Sequence, residues 1–206
     1  MTIVRPYRAE DREAVYDICV STAHHGGDAR GHYRDPGILP EIFAGPYLFF
    51  EPQFAFLLAD ESDRPVGYVL GTGDTAKFVK RFRDEWLPMV SDRYPPPQDE
   101  PADADGAMRH ELHLPERMIV PELAAYPAHL HIDLLPGYRR QGHGQALMRR
   151  LVQALADARV PALHLALVTA NTGARAFYDS IGMHVINVAS PGRLTYLGLS
   201  IGPATV

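Results

Sequence analysis

Hydrophobic positions along this chain repeat with two periods, and the points where the period changes predict its elements. Residues 2–7 read as a short strand. A helix follows, with Asp11 as N-cap and acidic residues in its first turn, running to about Val20. Segments 53–59 and 65–71 flank a polar turn at 60–64 and predict an antiparallel hairpin. Phe78, Val79, Phe82, Trp86, Leu87 and Met89 have roughly helical spacing and predict a helix over 75–90, with Lys77, Lys80, Arg81 and Arg83 on a solvated face. Residues 21–47 are punctuated by glycine and proline, and 94–106 contain three successive prolines followed by acidic residues, so both read as long connections. Pro115 and Pro121 restrict the stretch 110–127 to short pieces.

From Ala128 the pattern sharpens. Residues 128–135 alternate strictly, placing His129, His131 and Asp133 on one face of a strand and Leu130, Ile132 and Leu134 on the other. The run breaks at Pro136-Gly137, then enters a helix from Gly142 to about Ala158 whose stripe is Leu147, Leu151, Leu155 and Ala158. A strand at 162–168 follows, and strand, helix and strand in succession imply a right-handed crossover between parallel neighbours. Asn171 introduces a helix at 174–181 closed by Gly182, and strands at 183–188 and 194–199 flank the turn Ser190-Pro191-Gly192. No internal repeat is present, and the elements define an α/β chain.

The turn between strand and helix carries the strongest chemical signal. Arg139, Arg140, Gln141, Gly142, His143 and Gly144 lead into a helix N-terminus, where exposed N–H groups and the positive dipole end suit a pyrophosphate. Gly142 and Gly144 let backbone approach phosphate oxygens where a Cβ would obstruct.

Composition narrows the class. With 206 residues and 46% hydrophobic content, one domain spanning 1–206 is the expectation. A net charge of −5 argues against a sequence-independent nucleic-acid binder. Cys19, the single cysteine, cannot form an internal disulfide and reads as a buried thiol in a reducing compartment. No signal-peptide pattern and no membrane-length apolar run is found, which gives a cytoplasmic expectation without a membrane partner.

Taken in order, helix, hairpin, strand, Arg-x-x-Gly-x-Gly turn, helix, strand, Asn and a helix with Phe177, Tyr178 and Gly182 resemble the GNAT family of acyl-CoA-dependent N-acetyltransferases. The resemblance spans nearly the whole chain and is most specific from Leu130 to Met183. The strand end from His131 to Pro136 and the aromatic segment 82–94 look, more narrowly, like bacterial relatives of the acetyltransferase-like domain at the C-terminus of eukaryotic O-GlcNAcase. That eukaryotic domain has a degenerate cofactor turn, whereas this chain keeps Arg139, Gly142 and Gly144.

The family implies a three-layer α/β fold with a mixed, mainly antiparallel sheet flanked by helices. It implies acetyl-CoA as cosubstrate, a primary amine as acceptor, and no metal. Carried over by position, the pyrophosphate would lie on Arg139, Arg140, Gln141, Gly142, His143, Gly144 and Gln145, and backbone groups of Leu134 and Leu135 would meet the pantetheine arm and thioester carbonyl. Asn171 and Ala174 would complete the cofactor site, and Tyr178 would sit near the sulfur as general acid. Asp133 is the leading candidate for taking a proton from the acceptor, with His131 able to share the task. A substrate anchor and a purely structural carboxylate remain alternatives for Asp133, and packed, paired imidazoles for His129 and His131.

The same residues bear on other classes. His24-His25 and the His129, His131, Asp133 face contain the groups of a metal triad. A dinucleotide fingerprint lacks its third glycine, and the Walker and Gly-x-Ser-x-Gly patterns are absent. A catalytically silent acyl-CoA sensor or docking module of the same fold is the main alternative to an enzyme. Residues 24–47 and 78–94 are expected to wall the acceptor pocket, with Asp28, Asp35 and Glu41 attracting a cation, and the assembly is expected to be a monomer or homodimer.

Overall fold

The apolar runs of the predicted hairpin, including Leu57, Leu58, Val66, Val69 and Leu70, are shielded on both faces, which places these two strands inside a sheet covered on each side. The structure is a computed structural model describing residues 1–202. Its strands are β1 (Ile3–Pro6), β2 (Ala55–Ala59), β3 (Pro65–Thr72), β4 (Ala128–Leu134), β5 (Ala162–Val168), β6 (His184–Ile186) and β7 (Leu194–Ser200), joined in the order β1-β2-β3-β4-β5-β7-β6. All neighbours are antiparallel except β4 and β5, the pair predicted to be parallel.

Two apolar cores lie on opposite faces of this sheet. On one, α1 (Arg12–Thr22), α2 (Ile38–Phe43), α3 (Gly45–Phe50), α4 (Thr75–Arg81), α5 (Leu87–Val90) and α6 (Ala104–His113) bring Ile18, Leu39, Tyr47, Phe78, Leu87 and Leu112 against Leu57, Tyr68 and Leu70. On the other, α7 (His143–Asp157) and α8 (Thr172–Ser180) press Leu147, Leu151, Leu155 and Tyr178 onto Phe56, Leu58, Val69 and Leu163. This is the three-layer, mixed-sheet α/β arrangement expected. No described helix is long and apolar enough to cross a membrane.

The stripe of α7 anchors the helix whose first turn follows Gly142 and carries Gly144 of the expected anion-binding turn. Leu147 is 0% exposed, so Leu147→Ala is expected to cost about 3–4 kcal/mol in urea unfolding, the usual cost of a leucine-sized core cavity.

Several boundaries moved for identifiable reasons. Asp11 stands at the start of α1 but does not cap it with its side chain. Its carboxylate instead accepts two bonds from the buried Arg5 guanidinium, at 2.7 and 2.8 Å, and one from the Arg8 N–H at 2.9 Å. The connection 21–47 holds the short α2 and the start of α3. Gly45-Pro46, a breaker in the sequence pattern, opens α3, because proline is well suited to the first turn of a helix, where its missing N–H leaves nothing unsatisfied. Asp103, read as part of the acidic loop, accepts from the Gly106 N–H at 2.8 Å and starts α6. The helix over 75–90 changes register through a π turn at Phe82–Trp86, where the Leu87 N–H reaches the Phe82 carbonyl just before Pro88, which has no N–H.

Candidate functional site

β4 and β5 are paired only at Ala128↔Leu163 and His129↔His164, while β4 stays paired with β3 as far as Gly67↔Leu134. Beyond His129 the two parallel strands separate, opening the β5-facing edge of β4. The Leu135 N–H donates to the Val66 carbonyl at 3.0 Å. In an antiparallel ladder, Asp133 and His131 therefore direct their backbone groups to β3, and Leu134 and Ile132 turn theirs into the opening. The Leu134 carbonyl is taken by Arg139 Nε at 2.7 Å, which leaves the N–H as the free backbone group of Leu134 at the cleft. Leu135 does not share that role: its N–H serves Val66, and its carbonyl accepts from the Tyr138 N–H at 2.9 Å.

After a 3-10 turn at Pro136–Tyr138, Arg140 and Gly142 adopt left-handed backbone, with φ of 59° and 83°, and α7 begins at His143. The first bond into the helix runs from the Ala146 N–H to the Gly142 carbonyl, at 3.1 Å. The consecutive N–H groups of Arg140, Gln141, Gly142, His143, Gly144 and Gln145 have no acceptor among the described residues. Such a row at the positive end of a fifteen-residue helix is suited to a multiply charged anion.

The glycines serve different needs. Gly142 supplies the left-handed turn, with open space where a Cβ would lie, whereas a Cβ on Gly144 would come within 3.1 Å of the Phe177 ring. Gly144 thus lets the start of α7 pack against α8. Arg139, expected among the phosphate ligands, points elsewhere: besides Leu134, its Nη2 donates to the Gly26 carbonyl at 2.7 Å. Gln141 turns its side-chain amide back to the Gly137 carbonyl at 2.8 Å, leaving only its backbone toward the turn.

On the other side of the opening, Asp133 is partly buried and accepts a 2.7 Å bond from the Tyr68 hydroxyl. Tyr68 is its cross-strand partner and is wholly buried. Burial pushes the Asp133 carboxyl up to about 6, against the lowering effect of the Tyr68 bond. That value makes it a usable base at neutral pH. Tyr68 was not singled out in the sequence, since only the β3–β4 register shows that it faces Asp133.

Tyr178 lies buried on α8, and its hydroxyl has no hydrogen-bond partner among the described residues. Burial raises its pKa, as does the Asp133 charge, so the phenol stays protonated. Asn171 caps α8, its Oδ1 accepting from the Ala174 N–H at 3.1 Å, so only its NH₂ group remains to donate. Ala174 is partly buried against the same core as Tyr178.

The histidines divide into two roles. Thr75 Oγ1 lies 2.8 Å from the Pro127 carbonyl and 2.7 Å from His129 Nδ1. Its single proton goes to the carbonyl, so His129 donates from Nδ1 and accepts at Nε2 from the Tyr47 hydroxyl, 2.7 Å away. His129 is a fully paired core imidazole. His131 packs edge-on against Phe43 and Tyr47, and burial lowers its pKa to about 4, so it is neutral near pH 7.

No group of three or more metal-ligating side chains is assembled among the described residues. Nor do Asp28, Asp35 and Glu41 form a joint cation site. Asp28 pairs with Arg30 at 2.8 Å, Asp35 with Arg93 at 3.1 Å, and Glu41 accepts from the Tyr16 hydroxyl at 3.2 Å.

The chain belongs to the acetyltransferase (GNAT) family, whose family model matches residues 13–183. It is similar to SsHAT, whose crystal structure shares 56% identity and a TM-score of 0.95, with 98% of each chain covered. It is also 28% identical over 158 residues to protein O-GlcNAcase of Rattus norvegicus, an alignment covering 74% of this chain and 17% of that protein. The chain thus spans about 17% of the length of that curated relative. The phosphinothricin acetyltransferase of Sinorhizobium meliloti, solved in complex with acetyl-CoA, shares the fold at a TM-score of 0.58 and 15% identity, covering 98% of this chain and 89% of that one.

Proposed function

We propose that this chain transfers an acetyl group from acetyl-CoA to the primary amine of a small molecule or protein lysine. The observation that carries the reading is the uninterrupted row of unpartnered N–H groups from Arg140 through Gln145, set beside the open edge of β4. Those amides would hold the pyrophosphate, and the Asn171 NH₂ would donate to the pantetheine arm. Acetyl-CoA supplies an activated acetyl thioester.

The Leu134 N–H, turned into the opening, would donate to the thioester carbonyl as negative charge builds on its oxygen. One such preorganised donor contributes about 3 kcal/mol to lowering a barrier. Asp133 would take the proton that the acceptor ammonium must lose before its nitrogen can attack. As the C–N bond forms and the C–S bond breaks, Tyr178, kept protonated by burial, would donate to the departing sulfur, and the second proton that the nitrogen sheds on becoming an amide would restore the phenol.

The test has two stages. Calorimetric titration with acetyl-CoA should show stoichiometric binding, and an amine panel containing small polyamines, amino acids and lysine peptides should show thiol release with at least one acceptor. Tyr178→Phe should bind acetyl-CoA within about threefold of wild type while slowing transfer about 10²-fold, the lower range for loss of a general acid. Binding without transfer to any amine would favour the sensor, and no binding would sink both readings.

A further inference from the structure

Arg139 opens the phosphate turn, yet its guanidinium is turned back from it. Nε donates to the Leu134 carbonyl and Nη2 to the Gly26 carbonyl, each at 2.7 Å. A single side chain therefore joins the end of β4, the start of the turn and a loop 113 residues earlier in the sequence.

That loop, at residues 24–27, is closed on itself. The His24 N–H donates to the Gly27 carbonyl at 2.9 Å, and the Gly27 N–H returns to the His24 carbonyl at 2.8 Å. The His24 ring stacks on His32 with centroids 3.4 Å apart. Gly26 has a φ of 86°, and a Cβ there would lie 3.1 Å from Arg139 Nη1, so the loop backbone comes directly onto the guanidinium. The loop leaves the end of α1, which packs on the face of β3 and β4 that carries Tyr68 and Asp133. It stands on the Asp133 side of the sheet, whereas the row of free amides begins α7 on the opposite face.

We propose that Arg139 is a positioning residue: a latch that couples the pyrophosphate turn to the loop at residues 24–27, so that acetyl-CoA on the turn tightens the rim on the Asp133 side. The coupling rests on the reading of the turn as the acetyl-CoA site. The planar guanidinium suits the task because its fixed fork reaches two carbonyls in different directions at once, which a lysine ammonium does not reproduce.

Hydrogen–deuterium exchange on the whole chain, with and without saturating acetyl-CoA, tests the latch without needing the acceptor. In wild type, acetyl-CoA should slow exchange both at residues 140–146 and at residues 24–32. Arg139→Ala should speed exchange at 24–32 by about tenfold, as expected when a local closing contact is lost. It should keep ligand protection at 140–146 and lose it at 24–32. Gly26→Ala, which strains the loop at a φ of 86° and crowds the Arg139 guanidinium from the loop side, should give the same pattern, and Arg139→Lys an intermediate one. Calorimetry on Arg139→Ala should return an acetyl-CoA Kd within about threefold of wild type, less than the tenfold that 1.4 kcal/mol would produce.

An Arg139→Ala variant that binds acetyl-CoA much more weakly while its loop exchanges as in wild type would make Arg139 a phosphate ligand and overturn the latch. Acetyl-CoA that protects the turn of wild type but not the loop would overturn the coupling alone. Acetyl-CoA that does not bind wild type at all overturns the cofactor reading and the coupling together, and the calorimetric trace distinguishes that case.

Discussion

Asp133→Asn is expected to reduce kcat/KM for acetyl transfer by about 10²–10⁴-fold, the range for loss of a positioned general base. Acetyl-CoA binding should be little affected, because the turn amides are separate from the carboxylate. In wild type the rate should rise with pH through about 6, where burial places the Asp133 carboxyl, and level off above it. The variant should lose that acid limb.

Stability should move in the opposite direction. The Asp133 carboxyl is raised from 3.8 to about 6 in the fold, so the folded state holds its proton more tightly than the unfolded chain does. Its ionisation therefore costs stability progressively between those two values and leaves a constant penalty above the upper one. Asparagine removes the charge and can still accept from the Tyr68 hydroxyl. At pH 7.5 the melting temperature of Asp133→Asn should thus rise by about 2–4 °C, the shift that about 1 kcal/mol gives in a domain of this size. A profile without an acid limb near pH 6 in wild type would remove Asp133 from the mechanism. A lower melting temperature in the variant would mark the carboxylate as structural.

Gly142→Val is expected to weaken acetyl-CoA binding by about 30-fold or more. A β-branched residue at a φ of 83° carries about 1–3 kcal/mol of backbone strain, which the turn relieves by rotating its amides away from a common focus. A Cβ at this position meets open space, so steric crowding by neighbours does not account for the loss. Gly142→Ala should fall between the two. Calorimetry with acetyl-CoA measures the effect, and circular dichroism of the same samples checks that α7 persists. Affinity unchanged in Gly142→Val would mean that the phosphates do not depend on this backbone conformation.

Much of the candidate site's framework was legible because its signals are local. The strict alternation of residues 128–135 assigned Asp133 and His131 to one face, and the glycine pair marked where a helix had to begin with exposed amides. Asn171 and Gly182 bracketed α8 through ordinary capping chemistry. What escaped notice depended on pairing across distance. Tyr68 became the partner of Asp133 only through the β3–β4 register, and Leu135 was withdrawn from the cleft by the same ladder. α2 and α3 were hidden by prolines that, in context, lie in first turns.

The sequence by itself determined the order of the seven strands and of α1, α7 and α8, the parallel crossover and the turn of exposed amides before α7, because periodicity, capping and left-handed backbone are properties of neighbouring residues. Tertiary structure alone decided which polar groups stay available. Hydrogen-bonding groups are spent on whatever the fold brings within reach: Arg139 on Leu134 and Gly26, His129 on Thr75 and Tyr47, Leu135 on Val66 and Tyr138. The N–H of Leu134 remains uncommitted because β5 has separated from β4 beside it, and the amides from Arg140 through Gln145 because they lead into the first turn of α7, where no acceptor lies among the described residues.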